Sequence, residues 1–216
     1  MTITRLAFSL RYKRDLHRIL RTLDHEQFAQ FRLKYQSTDF GESKHWKLQE
    51  RIAINLRHAL LLNLHRTKPL QILDIGAGCG YFPFICTYYG HEAMAIDLNI
   101  AMYREITQWL GVPWEEHKVN AYQPLPTFGR KFDLITALLI YFNNPESPSV
   151  WGIEEWRFFL TDLVENHLTP AGQIYLTLNH DCKHRFYDEG LYNFFIQTGA
   201  KVKDGMVHLQ SVKHLR

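Results

Sequence analysis

Cysteine is scarce in this 216-residue chain: it has three, Cys79, Cys86 and Cys182, an odd number with no Cys-x-x-Cys pair. That pattern gives no sign of a zinc site, no metal is expected, and reduced thiols in a cytoplasmic protein are the plain reading. No apolar run approaches the roughly eighteen residues of a membrane span, and Met1 to Leu10 does not have the layout of a signal peptide. Internal repeats and low-complexity tracts are also missing. What is present is 46% hydrophobic and 14% aromatic content. This is the composition of a well-packed globular chain, long enough for one domain and an N-terminal extension.

Net charge is only +3, but it is unevenly spread: residues 1–68 hold 14 Lys/Arg against 6 Asp/Glu, and residues 69–216 hold 11 against 16. A basic front end attracts anions, phosphorylated substrates or nucleic acid among them. A solvated helical face is the preferred reading, because neither interleaved aromatics nor a nucleic-acid motif accompanies the charge.

Hydrophobic spacing supplies the element order. Leu16, Ile19, Leu20 and Leu23 mark one apolar helical face within residues 11–35, and Asp24 with Gln27 resembles a capping box that starts a second helix there. Turn formers at residues 37–41 break the pattern, and a longer helix is expected from Ser43 to about Arg66, ended by Pro69. Residues 1–68 are therefore expected to form a helical cap, and residues 69–216 the main domain.

From Gln71 strands alternate with helices. Strands are expected at 71–75, 93–97, weakly at 116–119, at 132–138 and at 173–178, with Leu168–Gly172 as a turn into the last of these. Helices are expected after Gly80, at 100–110, 153–167 and 191–198, and a closing hairpin around Asp204-Gly205. Such alternation implies an α/β, mostly parallel sheet covered on both faces, with ligands at the carboxyl ends of its strands. Asp74, Asp97, Asn120, Tyr141 and Asn179 stand at those ends.

The chain is organised around Gln71-Ile72-Leu73-Asp74-Ile75-Gly76-Ala77-Gly78-Cys79-Gly80-Tyr81-Phe82. A short apolar run passes into glycines at alternate positions, where the backbone turns sharply and a ligand can approach it closely. The dinucleotide fingerprint Gly-x-Gly-x-x-Gly fits poorly, because Tyr81 occupies the place of its third glycine. An acidic Asp74 at the head of the loop suits a cationic ligand, such as the amino group and sulfonium of S-adenosylmethionine, better than a pyrophosphate. Asp97 can accept the ribose hydroxyls of either cofactor and does not discriminate.

From about Gln71 onward the chain resembles class I S-adenosylmethionine-dependent methyltransferases. Ile72–Gly80 is similar to that family's first motif and Ala95-Ile96-Asp97 to the acidic end of its second strand. Phe132-Asp133-Leu134-Ile135 is similar to its fourth strand, and Leu168–Gln173 to the approach to its fifth. The resemblance implies a Rossmann-like, doubly wound, seven-stranded sheet with an antiparallel final hairpin behind the N-terminal helical extension. It also implies S-adenosyl-L-methionine as cofactor. Asp74 and the backbone of Gly76, Ala77, Gly78 and Gly80 would hold the methionine moiety, Asp97 with Leu98 the ribose, and Asn120 with Ala121 the adenine. Asn120 stands where the family commonly has an Asp.

Methyl transfer to oxygen benefits from a general base, whereas a neutral amine needs little beyond positioning. His180 and Tyr141 are the candidate catalytic residues, with surface placement the competing reading for His180. Trp151 and Glu154 are read either as the wall and polar contact of an acceptor pocket or as loop cover and helix start. For Trp156 a core position is preferred, and for Glu155 a charge that favours the helix N-terminus electrostatically. Asn143-Asn144-Pro145 is read as a turn, and Phe40–Trp46 as either a lid, with Lys44 on the methionine carboxylate, or a simple connection. The expected function is methyl transfer to oxygen or nitrogen of a small-molecule acceptor. Alternatives are an RNA or protein methyltransferase docking through the basic N-terminal helices, a non-catalytic cofactor-binding protein and, least, a nicotinamide-dependent oxidoreductase.

Overall fold

A computed structural model describes residues 3–36, 44–140, 150–181 and 183–210. A seven-stranded sheet runs in the order β3-β2-β1-β4-β5-β7-β6. Its strands are β1 (Gln71–Ile75), β2 (Glu92–Asp97), β3 (Trp114–Glu116), β4 (Phe132–Leu138), β5 (Leu168–Thr177), β6 (Lys201–Lys203) and β7 (Met206–Leu209). β1, β4 and β5 pair in parallel, whereas β7 pairs antiparallel with both β5 and β6. The strand order reverses between β1 and β4, the crossover at which ligands of open α/β sheets bind. The fold is thus the doubly wound α/β arrangement with an antiparallel closing hairpin expected from the sequence. That hairpin turns through Asp204 and Gly205, both left-handed at φ 49° and 76°, as a two-residue type I′ connection requires.

Contacts divide the chain into two compact units that interleave in sequence. One comprises Met1–Pro69, Ala77–Met94 and Asn99–Trp114; the other comprises Leu70–Gly76, Ala95–Leu98 and Glu115–Arg216. The boundary differs from the single division at residues 68/69, because the helices after β1 and β2 group with the N-terminal helices.

In the first unit α1 (Ile3–Arg21) and α4 (Tyr81–Tyr88) both pack on α3 (Leu48–Leu61), and α2 (His25–Tyr35) packs on α5 (Ala101–Trp109). Asp24 caps α2 as its type and place predict, accepting bonds from Glu26 N at 3.0 Å and Gln27 N at 2.9 Å. The apolar positions of these helices form the core, where Ile19, Ile52, Leu56 and Ile85 are fully buried and Phe28 packs between Trp46 and Trp109. The long helix expected to reach Arg66 is shorter: Asn63 adopts φ 58° and separates α3 from a 3-10 turn at Leu64–Arg66. Two of the basic residues of α1 are spent internally, since Arg11 and Arg14 both contact the buried Asp15, which also accepts from Tyr89 Oη at 2.8 Å.

In the second unit α6 (Ile153–Asp162) and α7 (Glu189–Gln197) flank the sheet's parallel strands and closing hairpin. Three expectations need correction. The third strand lies at 114–116 rather than 116–119, since Pro113 forces its predecessor extended and pairing begins directly after it. β5 begins at Leu168, not Gln173. Phe132 pairs with Leu168 and Leu134 with Gln173, so the Thr169–Gly172 segment is an excursion within one strand rather than a turn before it. The helix expected at 153–167 is α-helical only to Asp162 and widens to a π turn at Leu163–His167. There the Asp162 carboxylate accepts from Leu125 N at 2.9 Å and Asn166 Nδ2 at 2.8 Å, which ties the turn to the loop before β4.

Candidate cofactor site

Asp74 lies one residue from the end of β1 and is 2% exposed. Its Oδ1 accepts the hydroxyl of the fully buried Thr136 on β4 at 2.6 Å, across the register that places Asp74 opposite Thr136. Removal from water is the main influence on this carboxyl and raises its pKa to about 7; the Thr136 bond pulls it down, and the charge of Asp97 adds to the rise. Asp97, the last residue of β2, is itself buried, and its Oδ1 accepts Leu98 N at 2.6 Å. Two carboxylates therefore stand near each other at strand ends, a costly arrangement unless a cation or a set of donors meets them.

Gly76 directly follows β1 with φ 69°, and its N–H donates to Ile96 O at 2.8 Å. A Cβ there would lie 3.0 Å from Ile140 Cγ2. Ile140 is held in place by Asn179, whose Nδ2 donates to Ile140 O at 2.8 Å. Between them Leu139 sits in the left-handed region at φ 59°, its N–H bonded to Thr177 O at 2.9 Å and its side chain half exposed. A branched residue held in that conformation at a strand exit is strained, and such strain concentrates at functional sites.

The remainder of the loop belongs to the first unit. Gly80 (φ 70°) precedes α4, and a Cβ on it would come within 2.8 Å of Thr107 Cγ2, while the Thr107 hydroxyl donates to Gly78 O at 3.3 Å. Gly78 (φ 56°) differs, since among the described residues its missing Cβ would meet His45 Cε1 at 3.5 Å, an ordinary contact. Packing thus demands glycine at positions 76 and 80, whereas at position 78 it is the left-handed φ that favours glycine. Tyr81, which replaces the third dinucleotide glycine, is 3% exposed and donates from Oη to His45 O at 3.0 Å. The tyrosine does not obstruct the helix; it anchors the N-terminal extension.

Other predicted residues are spread more widely. Leu98 is exposed, and Ala121 and Asn120 are partly so; Asn120 Nδ2 donates to Lys118 O and Gln123 Oε1, at 3.2 and 3.0 Å. Trp151 is 7% exposed and meets Trp156 and Phe159 edge-to-face at 5.7 and 5.4 Å, with Trp156 in turn on Phe195. Glu154 is exposed and 3.5 Å from Arg157 Nε. Glu155 caps α6 by accepting from Gly152 N at 3.0 Å and also accepts from Tyr122 Oη at 2.8 Å. His180 is exposed, with Nδ1 bonded to Asp181 O at 2.9 Å and its ring 4.8 Å from that of His184. Tyr141 and Asn143–Pro145 lie outside the described residues, as does the side chain of Lys44.

Sequence reasoning did not single out Thr136, Ile140 or Thr107. Thr136 reads as one polar residue in a strand, and the other two read as ordinary strand-exit and helix positions, so only tertiary contact reveals them. A cavity of about 310 Å³ lies elsewhere in the first unit, lined by Leu20, His25, Phe28 and Trp46 among others. None of its lining residues is among the predicted site residues. Among the described residues no group of His, Cys, Asp and Glu has the arrangement of a metal site, and no helix is long and apolar enough to cross a membrane.

No family model matches the chain and no curated protein matches it in sequence. Among solved structures it is similar to the glycopeptide N-methyltransferase MtfA (15% identity, TM-score 0.46), covering 62% of this chain and 56% of that one. It is also similar to an amino pentose methyltransferase from Micromonospora echinaspora (21% identity, TM-score 0.47), over 64% of this chain and 54% of that one. A third is a TehB-like S-adenosylmethionine-dependent methyltransferase from Corynebacterium glutamicum (15%, TM-score 0.49), over 71% and 86%. The chain thus spans little more than half the length of the first two.

Proposed function

We propose that the chain is an S-adenosyl-L-methionine-dependent methyltransferase that acts on oxygen or nitrogen of a small-molecule acceptor. The observation that carries the reading is the pair of buried carboxylates, Asp74 and Asp97, at the ends of β1 and β2, followed in one case by three left-handed glycines. The residues present fit the cofactor: the left-handed glycines turn the loop sharply after β1, and the buried acid charge at Asp74 favours a cationic ligand. Bound there, the cofactor supplies a methyl carbon made electrophilic by a sulfonium, open to in-line displacement.

The chain's own residues then have separate roles. The backbone of Gly76, Ala77, Gly78 and Gly80 holds the methionine end, with the Asp74 charge behind it. Asp97 accepts the ribose hydroxyls beside Leu98, and Asn120 turns its Oδ1 to the adenine amino group beside Ala121. At His180 the carbonyl of Asp181 can only accept, so Nδ1 carries the proton and Nε2 is the basic nitrogen. His180 takes a proton from an oxygen acceptor, and Tyr141 is the second candidate catalytic residue. Trp151 and Glu154 belong to the scaffold in this reading, the one in an aromatic core and the other on a solvated helix start. The acidic main body and the internal pairing of Arg11 and Arg14 favour a compact acceptor over RNA.

Calorimetry of the wild type and Asp97→Ala with S-adenosylmethionine, S-adenosylhomocysteine and NAD tests the reading. Binding of both sulfur compounds, weakened by the substitution, is the expected result. NAD binding with no response to either sulfur compound sinks it. Cofactor binding without turnover over a labelled-methyl screen of metabolites and RNA leaves a non-catalytic binder in its place.

A further inference from the structure

The N-terminal extension meets the glycine loop at His45. His45 lies in a 3-10 turn, Lys44–Trp46, and three contacts from other elements hold it. Tyr81, the first residue of α4, donates to its backbone oxygen at 3.0 Å. Tyr103 on α5 brings its hydroxyl to within 3.3 Å of His45 Nε2, with the two rings edge-to-face at 5.1 Å. The third is Gly78: a Cβ there would stand 3.5 Å from His45 Cε1. Thr107 on α5 secures the same glycine from the other side through the carbonyl of Gly78.

These contacts set an imidazole beside Gly78 of the loop, at ordinary contact distance. Tyr81 fixes the backbone of His45 and Tyr103 meets its ring, so two tyrosines at the helices after β1 and β2 set where the imidazole lies. We infer that His45 is a ligand-binding residue of the glycine loop, contacting the amino-acid end of S-adenosylmethionine, with Tyr81 and Tyr103 as its positioning residues. The inference rests on the methyltransferase reading above. The partner on the ligand is the carboxylate, which the imidazole meets as a hydrogen-bond donor.

The test compares two ligands that differ only at that end. S-Adenosylhomocysteine carries the amino acid; 5′-methylthioadenosine keeps the nucleoside and sulfur without it. For His45→Ala the expected result is about ten-fold weaker binding of S-adenosylhomocysteine, the size of one lost charge-assisted hydrogen bond, with methylthioadenosine affinity unchanged. His45→Gln, which keeps a donor, restores part of the loss, and Tyr81→Phe weakens S-adenosylhomocysteine in the same selective way by a smaller factor. Equal loss for both ligands makes His45 a structural residue and overturns the inference, as does no loss for either. A wild-type protein that binds neither ligand removes the methyltransferase reading itself, and this inference with it. That outcome is distinct from a wild type that binds both and a variant that fails to discriminate.

Discussion

The ends of β1 and β2 and the end of β5 face the same kind of demand and meet it in opposite ways. At the first two, Asp74 and Asp97 are carboxylates withdrawn from water, one raised to about 7 by that withdrawal. At the end of β5, His180 stands exposed on a backbone carbonyl and beside a second imidazole, and Glu154 at the head of α6 is likewise solvated. Buried charge is expensive to keep, so it persists where a ligand repays it; exposed groups satisfied locally cost little and impose little. In the proposed reading the donor side is built into the core, and the acceptor side is laid on the surface. Core construction constrains a binder of fixed chemistry, whereas a surface can change with its acceptor.

The comparison breaks first if Trp151 belongs to the acceptor surface. Trp151→Ala is expected to lower unfolding stability by roughly 3 kcal/mol as an aromatic core truncation, with S-adenosylmethionine affinity unchanged, measured by denaturant titration and calorimetry. A normal stability with an altered KM for an identified acceptor would return Trp151 to a pocket wall. Next in size, Asp97→Ala is expected to weaken S-adenosylmethionine about 100-fold, as two hydrogen bonds to a charged group are lost.

Asp74→Asn sharpens the electrostatic half. The folded-state pKa of Asp74 is raised from 3.8 to about 7 by burial, so the ligand-free wild type holds its full stability below the unfolded value. It loses stability as pH rises between about 4 and 7. The variant lacks this loss, and its advantage over the wild type should grow across that window and level off above it. A flat difference would place Asp74 in a far more polar setting. Binding of a cationic cofactor favours the ionised acid, so wild-type affinity should rise through the same window and that of Asp74→Asn should not.

Smaller effects close the series. Leu139→Gly removes the left-handed strain at the β4 exit and is expected to stabilise by about 1 kcal/mol, read as a shift in thermal midpoint. His180→Ala should change stability by less than about 0.5 kcal/mol, as an exposed group does, and leave cofactor affinity alone. Any loss of turnover without those changes would mark it as the base.

Much of the fold was legible because its signals are local. The apolar run of Ile72, Leu73 and Ile75, the alternation of strands and helices, the cap at Asp24 and the Asp204-Gly205 turn each depend on neighbouring residues, and each appears in the structure. Where the reading slipped, a distant partner decided. β5 starts five residues early because Phe132 pairs with Leu168, and α6 widens where Asp162 grips Leu125. Tyr81 read only as the residue in place of the third dinucleotide glycine, and its bond to the carbonyl of His45, thirty-six residues upstream, needed the structure. The donor-side loop was visible for the same local reason that made the acceptor side obscure: glycine spacing is contiguous, whereas an acceptor pocket is assembled from residues with no common stretch.

The sequence by itself determined the alternation that makes a doubly wound sheet, the loop that follows β1 and the acids at the ends of β1 and β2, since backbone conformation and hydrophobic period are properties of short segments. Only the tertiary structure decided that Asp74 shares its charge with Thr136 and that Trp151 closes an aromatic core. It alone decided, too, that His45 comes to rest over Gly78. Each of these depends on which side chains meet across elements, and burial, the force that sets their chemistry, exists only once the chain has closed around them.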